Sequence, residues 1–346
     1  MKKYVVVIII LILLALTYFF YVKPLLDAKV ELKQDKEVPI APQIIVETNV
    51  PARKTYKKIS HNPNFGKFFD YRKTAWDNKI PLAGCKQTCS GILVDLDTHK
   101  VLWAKNPRRG VAIASMTKMM TLLLALEALD ARTELDLDTP IAVSPGAAGM
   151  GGSQVYLDVK ETIPFGELLK TMAIKSANDS AYLVAEYVAN GSMAHFIAAM
   201  NNKAYKLRMP STKFVNVHGL TSDNKTNSTS SPEGLAILAE QLLQYPLLID
   251  WTSTKTAFFR PEGNKSRQAL TNTNRLLGKC FGVDGLKTGY TRAAGFCITA
   301  SCLRGGKRLV AVVSGFKSSR ARNTFVSRLF GWGYRRALEI DSQARK

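Results

Sequence analysis

The pattern of apolar and polar positions divides the chain into three regions. Residues Tyr4 to Val22 carry no charge over about 19 positions, which is long enough for a helix that crosses a bilayer. After Lys23, short apolar runs are broken by charged residues, proline and asparagine, a pattern typical of a tether. Sustained periodicity begins near Ser90. We therefore predict a transmembrane segment or signal peptide over residues 1–22, a linker over 23–75 that begins to pack on the folded part near Phe65, and a folded domain over 76–346.

Strand patterns occur at both ends of the folded part. Residues 92–94 and 101–103 are β-branched and aromatic runs that flank the turn signal at Asp97 to His99. Residues 296–303 and 309–316 form a second such pair. They are joined by Arg304-Gly305-Gly306-Lys307, which favours a tight hairpin turn. Each end of the domain is thus predicted to supply an antiparallel pair.

Helix patterns fill the middle and the end of the domain. Apolar residues recur every three or four positions, and they predict helices over residues 115–129, 167–175, 180–188, 232–243 and 320–338. Ser231 precedes Pro232 and is placed to cap the fourth helix. Strands that flank a helical stretch favour one sheet built from both ends of the sequence. The predicted fold class is α/β, an α+β sandwich with a mainly antiparallel sheet, flanking helices and a helical insert.

Net charge restricts the partners. The chain has 48 Lys and Arg against 27 Asp and Glu, a formal charge of +21. Such an excess favours an anionic membrane or an acidic polymer such as cell wall. No zinc finger, RNA-binding motif or aromatic-basic repeat is present, so nucleic acid is not expected as a partner. The histidines and cysteines do not have metal-ligand spacing, so we expect no metal and no cofactor.

The N-terminal segment predicts export. A signal peptide usually has a shorter apolar core and a small-x-small cleavage site, whereas this run ends in Phe19, Phe20 and Tyr21. A retained anchor is favoured over a cleaved signal, and Lys2 and Lys3 place the N-terminus inside. We expect a single-pass protein of the cell membrane with its catalytic domain outside. In that compartment Cys85-x3-Cys89 could form a local disulfide; alternatively, all five cysteines are buried thiols.

Three short motifs follow one another in the chain: Ser115-Met116-Thr117-Lys118, Ser176-Ala177-Asn178 and Lys287-Thr288-Gly289. Each motif alone is weak, but their order in an exported chain is specific. Residues three apart on a helix share a face, so the amine of Lys118 can reach the hydroxyl of Ser115. The helix that follows is rich in leucine, and an unpartnered lysine in a buried helix is costly. We therefore predict that Lys118 has a chemical role rather than a surface position.

The other two motifs complete a nucleophilic site. A lysine acts as a base only when neutral, and burial or a second cation such as Lys287 lowers its pKa. Ser176 can pass a proton to a leaving group, and Asn178 can hold the substrate amide or the lysine; both could equally belong to a helix N-cap. Thr288 and Lys287 offer a hydroxyl and a charge to a free carboxylate. Glycine at 289 lets a substrate backbone approach the strand.

The motifs resemble those of the low-molecular-mass penicillin-binding proteins, the serine D-Ala-D-Ala carboxypeptidases, over about residues 84–337. The blocks at 151–153, 168–178, 201–204, 218–220, 284–290 and 294–296 are also similar. The resemblance implies the β-lactamase/D,D-peptidase-like fold, with Ser115 as acylated nucleophile, Lys118 as base, and Ser176 and Asn178 as the second corner. It further implies that Lys287, Thr288 and Arg322 bind the terminal carboxylate. The N–H groups of Ser115 and Tyr290 would form the oxyanion hole.

The expected function is removal of terminal D-Ala from peptidoglycan stem peptides, inhibited by β-lactam antibiotics. A D,D-endopeptidase that cleaves peptidoglycan cross-links would use the same residues. A β-lactamase needs an added base for deacylation, and no glutamate is placed for it. A wall-binding protein with an inactive peptidase domain is disfavoured because all expected catalytic residues are present. His218 lies in a family block and is interpreted as a satisfied loop histidine.

Overall fold

The computed structural model describes residues 55–58, 60–77, 79–221 and 225–344. The predicted N-terminal helix over residues 1–22 and most of the predicted linker lie outside these residues. Within the described part, no helix combines the length and apolar character that a membrane crossing requires. The strands are β1 Ala75–Trp76, β2 Ser90–Asp95, β3 Lys100–Lys105, β4 Val111–Ala112, β5 Pro140–Ala142, β6 Thr162–Pro164, β7 Thr229–Ser230, β8 Thr256–Phe259, β9 Gln268–Thr271, β10 Val283–Thr291, β11 Gly295–Arg304 and β12 Lys307–Phe316.

The helices come from the middle and the end of the described chain. They are α1 Lys118–Ala131, α2 Pro145–Ala148, α3 Phe165–Ile174, α4 Asn178–Val188, α5 Met193–Lys206, α6 Pro232–Leu242, α7 Pro246–Ser253 and α8 Ser319–Ala344. Short 3₁₀ turns lie at Cys85–Gln87 and Ala114–Thr117. The Ser231 hydroxyl accepts a hydrogen bond from the Gly234 N–H at 3.1 Å, which confirms the predicted cap of α6.

A six-stranded sheet in the order β1-β3-β2-β12-β11-β10 forms the centre of the domain. The β1 strand pairs in parallel with β3, and the other neighbours are antiparallel. The hairpin predicted at Arg304-Gly305-Gly306-Lys307 joins β11 to β12, which confirms it. The strands of this sheet come from the two ends of the domain, and most of the helices lie between them in the sequence. The predicted α/β architecture is therefore confirmed.

The sheet separates two hydrophobic cores. Successive side chains of a strand point to opposite faces, and in β2 the side chains of Ile92 and Val94 join one core while that of Leu93 joins the other. The first core contains α1 and the helices of the insert. The second lies under α8, where Phe325, Leu329 and Phe330 pack against the sheet, among other residues. Burial on both faces explains why the core strands are continuous apolar runs.

One local prediction needs correction, and the structure decides between the two alternatives for the cysteines. The helix predicted from Ser115 begins instead as the 3₁₀ turn Ala114–Thr117, and the α-helix starts at Lys118. Ala114 has a φ of 47°, and this left-handed conformation prevents regular helix before it. The Cys85–Cys89 disulfide is not formed. All five thiols are free, and all except that of Cys89 are buried.

The described end of the predicted linker packs on the domain. The Tyr56 N–H donates to Asp130 at 2.6 Å, and Phe69 is buried. Backbone hydrogen bonds join Asp70 to His99 and Val101, each at 2.8 Å. Packing of the predicted linker on the domain therefore begins before Phe65, since the backbone N–H of Tyr56 already has a partner there.

Candidate active site

The first motif places a serine hydroxyl beside a buried amine. Ser115 lies in the turn Ala114–Thr117 and remains partly exposed, whereas Lys118 in the first turn of α1 is fully buried. The Lys118 Nζ lies 3.2 Å from the Ser115 Oγ. The turn is tighter than the predicted helix, yet residues three apart still share one face. The two groups are therefore within reach for proton transfer.

Two further oxygens surround the amine of Lys118. The amine donates to Asn178 Oδ1 at 2.6 Å and to the backbone carbonyl of His218 at 2.8 Å. The amide of Asn178 donates in turn to the carbonyl of Gly151 at 2.6 Å. That second contact fixes the orientation of the amide, because its nitrogen must face a carbonyl. The oxygen of Asn178 thus faces Lys118.

This arrangement gives a neutral Lys118 a defined direction. A neutral amine has two N–H groups and one lone pair. The Asn178 Oδ1 and the His218 carbonyl can only accept, so they take the two N–H groups. The lone pair is left facing the Ser115 Oγ, whose O–H can donate to it. The geometry therefore suits a base that takes the proton of Ser115.

The surroundings of Lys118 favour that neutral form. Burial holds the pKa of the ammonium well below its usual range, and the positive charge of Lys287 lowers this pKa further. The carboxylate of Asp179 acts in the opposite direction. Asp179 is itself buried and accepts hydrogen bonds from the N–H groups of Val155, Leu157 and Ser180. Burial dominates, because desolvation is the largest of these effects.

Lys287 brings a second cation to the same site. It is buried in β10, and its Nζ donates to the carbonyl of Thr288 at 3.1 Å. Burial and the nearby charge of Arg322 lower the pKa of Lys287 to about 7, while the thiol of Cys297 acts in the opposite direction. At neutral pH this group is therefore close to its own titration midpoint. An anion bound beside Lys287 would favour its charged form.

Close backbone packing holds the Ser115 turn in place. A Cβ atom on Gly289 would lie 2.9 Å from the carbonyl oxygen of Ile113, and one on Gly219 would lie 1.9 Å from that of Ala114. Strand β10 and the 216–220 loop therefore press on the turn from separate parts of the chain. Only glycine permits both approaches.

The turn leaves a backbone donor free. Within the described residues, no acceptor is found for the N–H of Ser115, while the next N–H, that of Met116, donates to Ile113 at 3.1 Å. A free N–H next to the nucleophile is the donor that a developing oxyanion requires. This agrees with the predicted use of the Ser115 amide.

Ser176 lies two residues before Asn178 and has an unused hydroxyl. Its side chain is buried, and its Oγ has no hydrogen-bond partner among the described residues. Ser176 also has a φ of 68°, which is unusual for a residue other than glycine. The alternative role as a helix cap is not seen, because the residue before α4 is Ala177 and makes no side-chain cap. The Ser176 hydroxyl remains available for substrate.

The other predicted site residues, Thr288, Tyr290 and Arg322, have contacts outside the Ser115 and Lys118 pair. The Thr288 hydroxyl is bonded to that of Thr273 at 2.8 Å. The ring of Tyr290 is exposed and stacks on Phe296 at 4.2 Å between centroids. Arg322 is buried and donates to the carbonyl of Cys297 and to the side chain of Asn323. Arg322 reaches the site through its charge on Lys287 rather than through a contact with Ser115 or Lys118.

Sequence reasoning missed two groups that act on Lys118, the backbone carbonyl of His218 and the carboxylate of Asp179. The His218 imidazole is a satisfied loop group, since its Nδ1 accepts from the Leu220 N–H at 3.1 Å, but its backbone carbonyl holds Lys118. Burial and the charge of Lys118 lower the pKa of His218 to about 4. Asp179 was also missed. Its position directly after Ser176-Ala177-Asn178, at the start of a helix, was the available signal.

Comparison with known proteins supplies the family. A family model described as D-alanyl-D-alanine carboxypeptidase matches residues 83–318. The D-alanyl-D-alanine carboxypeptidase DacF of Bacillus subtilis is 40% identical over 245 residues, which is 71% of this chain and 61% of that protein. The D-alanyl-D-alanine endopeptidase of Pseudomonas aeruginosa is 35% identical over 222 residues, which is 63% of this chain and 68% of that protein. The chain thus spans about three fifths of the length of DacF.

Solved structures agree in fold. Penicillin-Binding Protein D2 from Listeria monocytogenes, in the ampicillin-bound form, aligns with a TM-score of 0.63 and 30% identity over 72% of this chain and 97% of that one. The D-alanyl-D-alanine carboxypeptidase DacD from Francisella tularensis aligns with a TM-score of 0.66 and 27% identity, covering 76% and 72% of the two chains. The D,D-peptidase-like fold expected from the resemblance is confirmed.

Proposed function

This chain belongs to the D-alanyl-D-alanine carboxypeptidase family, and from that premise we propose that it is a serine D,D-carboxypeptidase. It removes the terminal D-Ala of peptidoglycan stem peptides through an ester at Ser115, and β-lactam antibiotics inhibit it by acylating the same hydroxyl. The ampicillin-bound relative from Listeria monocytogenes supports the second statement.

One observation carries the proposal. Lys118 has two contacts that can only accept, Asn178 Oδ1 and the His218 carbonyl, and one contact that can donate, the Ser115 hydroxyl. A neutral Lys118 is therefore aimed at the proton of Ser115. A surface lysine would not be fully buried, and a buried lysine is more easily held neutral than charged.

The geometry supports an acylation step in which protons and bonds balance. Lys118 takes the proton of Ser115 as the Oγ attacks the carbonyl carbon of the penultimate residue. The Ser115 N–H stabilises the oxyanion that forms. The C–N bond to D-Ala then breaks, and the leaving amine receives the proton from Lys118, with the unused hydroxyl of Ser176 as the relay. Lys287 and Thr288 hold the free carboxylate of D-Ala.

Deacylation uses the same groups with water in place of the serine. After D-Ala leaves, Lys118 is again neutral and takes a proton from a water molecule. The hydroxide formed attacks the ester of Ser115, and the protonated lysine returns the proton to the Oγ. The products are the shortened stem peptide and the free enzyme.

Mass spectrometry of the penicillin-treated protein tests the assignment. We expect one adduct, on the tryptic peptide that contains Ser115, which persists long enough to be isolated. Purified protein should release D-Ala from a pentapeptide that ends in D-Ala-D-Ala. Ser115→Ala should lose both the adduct and the release of D-Ala. Ser153→Ala, which removes an exposed hydroxyl bonded to the Lys175 carbonyl, is the matched control and should keep both.

The outcomes separate this proposal from its competitors. An adduct on another side chain, or D-Ala release that survives Ser115→Ala, would contradict it. Rapid turnover of penicillin without a lasting adduct would indicate a β-lactamase. An adduct without any peptide hydrolysis would indicate a wall-binding protein with an inactive domain.

A D,D-endopeptidase is the second candidate. The chain covers 68% of the length of the Pseudomonas aeruginosa endopeptidase but 61% of the length of DacF, which favours the endopeptidase. Sequence identity, at 35% and 40%, favours DacF. The same nucleophile would cleave a cross-link between two stem peptides. Cleavage of cross-linked dimers without release of D-Ala from the pentapeptide would select this candidate.

Attachment to the cytoplasmic membrane is part of the proposal. The uncharged run from Tyr4 to Val22 and the preceding Lys2 and Lys3 support a single-pass anchor with the catalytic domain outside. Peptidoglycan is an extracytoplasmic substrate, so the proposed reaction requires the same orientation. Protease added to intact spheroplasts should degrade the domain, while a cytoplasmic control protein stays intact.

A further inference from the structure

A basic groove lies between the first half of α8 and the loop before β10. Its volume is about 640 Å³, and its lining contains Arg275, Lys279, Arg320 and Arg328 together with Leu276, Ser319, Asn323, Thr324 and Ser327. No carboxylate lines it in the part of the chain that the structure describes. The groove does not include any of the residues that form the Ser115 site.

The four cations of the groove are not neutralised by the protein. Within the described residues, none of their side chains forms an ion pair or hydrogen bond, although Arg336 and Lys307, which lie on or beside the same helix, do. Like charges that share a concave surface repel one another and raise the local concentration of anions. An anionic ligand would therefore be drawn to the groove.

The spacing of the cations requires more than one anionic group. Arg320 and Arg328 are eight residues apart on α8, which is about 12 Å along a helix axis. Arg275 and Lys279 come from the separate loop that lines the same groove. A single phosphate is satisfied by one or two of these side chains. Four cations distributed over this length match a linear chain that carries repeated negative charges.

The polar groups of the groove favour phosphate. Three of the four cations are arginines, whose planar fork binds phosphate oxygens in pairs. The hydroxyls of Ser319, Thr324 and Ser327 belong to residues that line the groove, and none of the three has a hydrogen-bond partner within the described residues. These groups can donate to the remaining oxygens. A flat lipid surface could touch only the rim, whereas a flexible chain can enter between the two walls.

We propose that the groove formed by Arg275, Lys279, Arg320 and Arg328 binds a linear polyanion whose charges are phosphate or phosphodiester groups. This site is separate from the proposed peptidase function and does not depend on it. Asn323 lines the groove and accepts hydrogen bonds from Arg322, whose charge acts on Lys287. A bound polymer would hold the domain close to polyanionic material of the cell envelope.

Binding of inorganic polyphosphate tests the proposal. The full-length protein in a neutral detergent is titrated into fluorescently labelled polyphosphate, and anisotropy is followed at several salt concentrations. The groove variant combines Arg275→Gln, Lys279→Gln and Arg328→Gln and leaves Arg320 unchanged, since that residue is close to Arg322. The control variant combines Arg109→Gln, Lys86→Gln and Lys265→Gln, three exposed cations elsewhere, and has the same net charge.

We expect the groove variant to bind at least tenfold more weakly and the control variant less than threefold more weakly than the wild type. The affinity of the groove variant should also fall less steeply with salt, because fewer counterions are released. All three proteins should melt within a few degrees of one another, since the substituted side chains are exposed. Equal losses in the two variants would overturn the proposal in favour of diffuse attraction by the net charge.

Two further measurements distinguish the source of the anion. Polyglutamate of equal charge should bind the wild type more weakly, and equal affinity would overturn the assignment to phosphate. Vesicles with anionic lipids, compared with neutral vesicles, should bind the groove variant and the wild type alike. A groove variant that loses its preference for anionic vesicles but keeps its affinity for polyphosphate would indicate a membrane surface and overturn the polymer assignment.

Discussion

At the scale of single residues, the amide of Asn178 orients the amine of Lys118. Its nitrogen is held by the carbonyl of Gly151 and its oxygen by Lys118, at 2.6 Å each. A neutral acceptor orients the amine without adding charge. A charged acceptor at the same place would stabilise the ammonium and raise the pKa of Lys118. The proposed mechanism therefore depends on an amide here rather than a carboxylate.

Asn178→Asp tests this dependence. The new carboxylate would replace the amide oxygen beside the Lys118 Nζ, raise the pKa of the lysine and leave it protonated at pH 7. We expect the second-order rate of penicillin acylation at pH 7 to fall at least tenfold, and the acid limb of its pH profile to move to higher pH. The rate should recover in part as the pH is raised towards 9.

A matched substitution separates charge at the site from charge elsewhere. Asn190→Asp adds the same charge at an exposed position after α4, and its pH profile should equal that of the wild type. A uniform loss of rate in Asn178→Asp, with the acid limb unmoved, would mean that the amide serves only to position the substrate. Such a result would contradict the assignment of Lys118 as the base.

The titration of Lys287 is expected to determine the alkaline limb of the pH–rate profile. Its pKa is lowered to about 7 by burial and by the charge of Arg322, so the free enzyme loses this cation as the pH rises above neutrality. Because kcat/KM reports groups of the free enzyme, kcat/KM for a peptide with a free carboxylate should decline above about pH 7. Lys287→Arg keeps its charge at every pH, and it should be slower but lack this decline. A decline that persists in Lys287→Arg would assign the alkaline limb to another group.

For single residues, the sequence predicted contacts between positions close together in the chain better than contacts between distant segments. Ser115 and Lys118 are three residues apart, and local backbone geometry alone brings them together. The contacts of Asn178 and His218 depend on distant segments that meet in the fold. Arg322 shows the limit most clearly, because its guanidinium is held by Cys297 and Asn323. No periodicity in the sequence indicates that contact.

At the scale of elements, three separate segments meet at the turn Ala114–Thr117. Gly289 of β10 packs against the Ile113 carbonyl and the Ala114 side chain, Gly219 of the 216–220 loop packs against the Ala114 carbonyl, and α1 continues from the end of the turn. The position of the Ser115 hydroxyl is therefore set by tertiary packing. The sequence pattern does not report tertiary packing, and for that reason it wrongly predicted regular α-helix from Ser115. Apolar periodicity reports which residues are buried, but it does not report a left-handed residue such as Ala114.

Two glycines with the same backbone conformation test the role of this packing. Gly219 and Gly191 both have a φ of 87°, so alanine is strained by a similar amount at each. A Cβ on Gly219 would collide with the Ala114 carbonyl oxygen, whereas a Cβ on Gly191 would meet no atom within 4 Å. Gly191→Ala should lower the free energy of unfolding by about 1 kcal/mol and keep penicillin acylation.

Gly219→Ala should differ from that control in both stability and reactivity. We expect a loss of unfolding free energy at least twice as large, measured by urea denaturation, and acylation slowed at least 100-fold, because the turn that carries Ser115 is displaced. If both alanine variants lose the same stability and acylate at the wild-type rate, the 216–220 loop does not position the nucleophile.

The N-terminal segment shows a second limit at the scale of elements. Residues 55–77 have the composition of a linker, yet their backbone and side chains pair with distant groups. Gly66 donates to Glu240, and the hydroxyl of Tyr71 donates to Glu233. Both glutamates are buried in α6. A buried glutamate on a predicted helix was the available signal that a covering segment exists, since such a group needs partners.

At the scale of the whole molecule, the proposed active site acts against the stability of the fold. Lys287 has a pKa of about 7 when folded and about 10.5 when unfolded. Between these values the unfolded state binds more protons, so stability rises with pH. At pH 7 and below, the difference corresponds to an unfavourable contribution of roughly 5 kcal/mol at most. Lys118 acts in the same direction, since its pKa is also lowered by burial.

Lys307, in β12 of the same sheet, has a raised pKa, whereas that of Lys287 is lowered. Its amine lies 2.8 Å from Asp95 and 3.0 Å from Asp341, and these carboxylates raise its pKa. A raised pKa in a lysine contributes stability that is present throughout the neutral range. The two lysines lie in β10 and β12, at the catalytic edge and in the interior of one sheet. They differ in the sign of their effect because only one has carboxylate partners.

Replacing each lysine by methionine turns this contrast into a measurement. Lys287→Met removes a buried, unpaired amine and should raise the free energy of unfolding at pH 7 by at least about 1 kcal/mol while abolishing the hydrolysis of D-Ala-terminated peptides. Its stability should also increase less between pH 7 and 9.5 than that of the wild type. Lys307→Met should instead lower stability, because Asp95 loses its partner, and should keep the wild-type pH dependence. If Lys287→Met is destabilised at pH 7 with the slope unchanged, Lys287 is charged and well solvated in the fold, and the lowered pKa assigned to it is wrong.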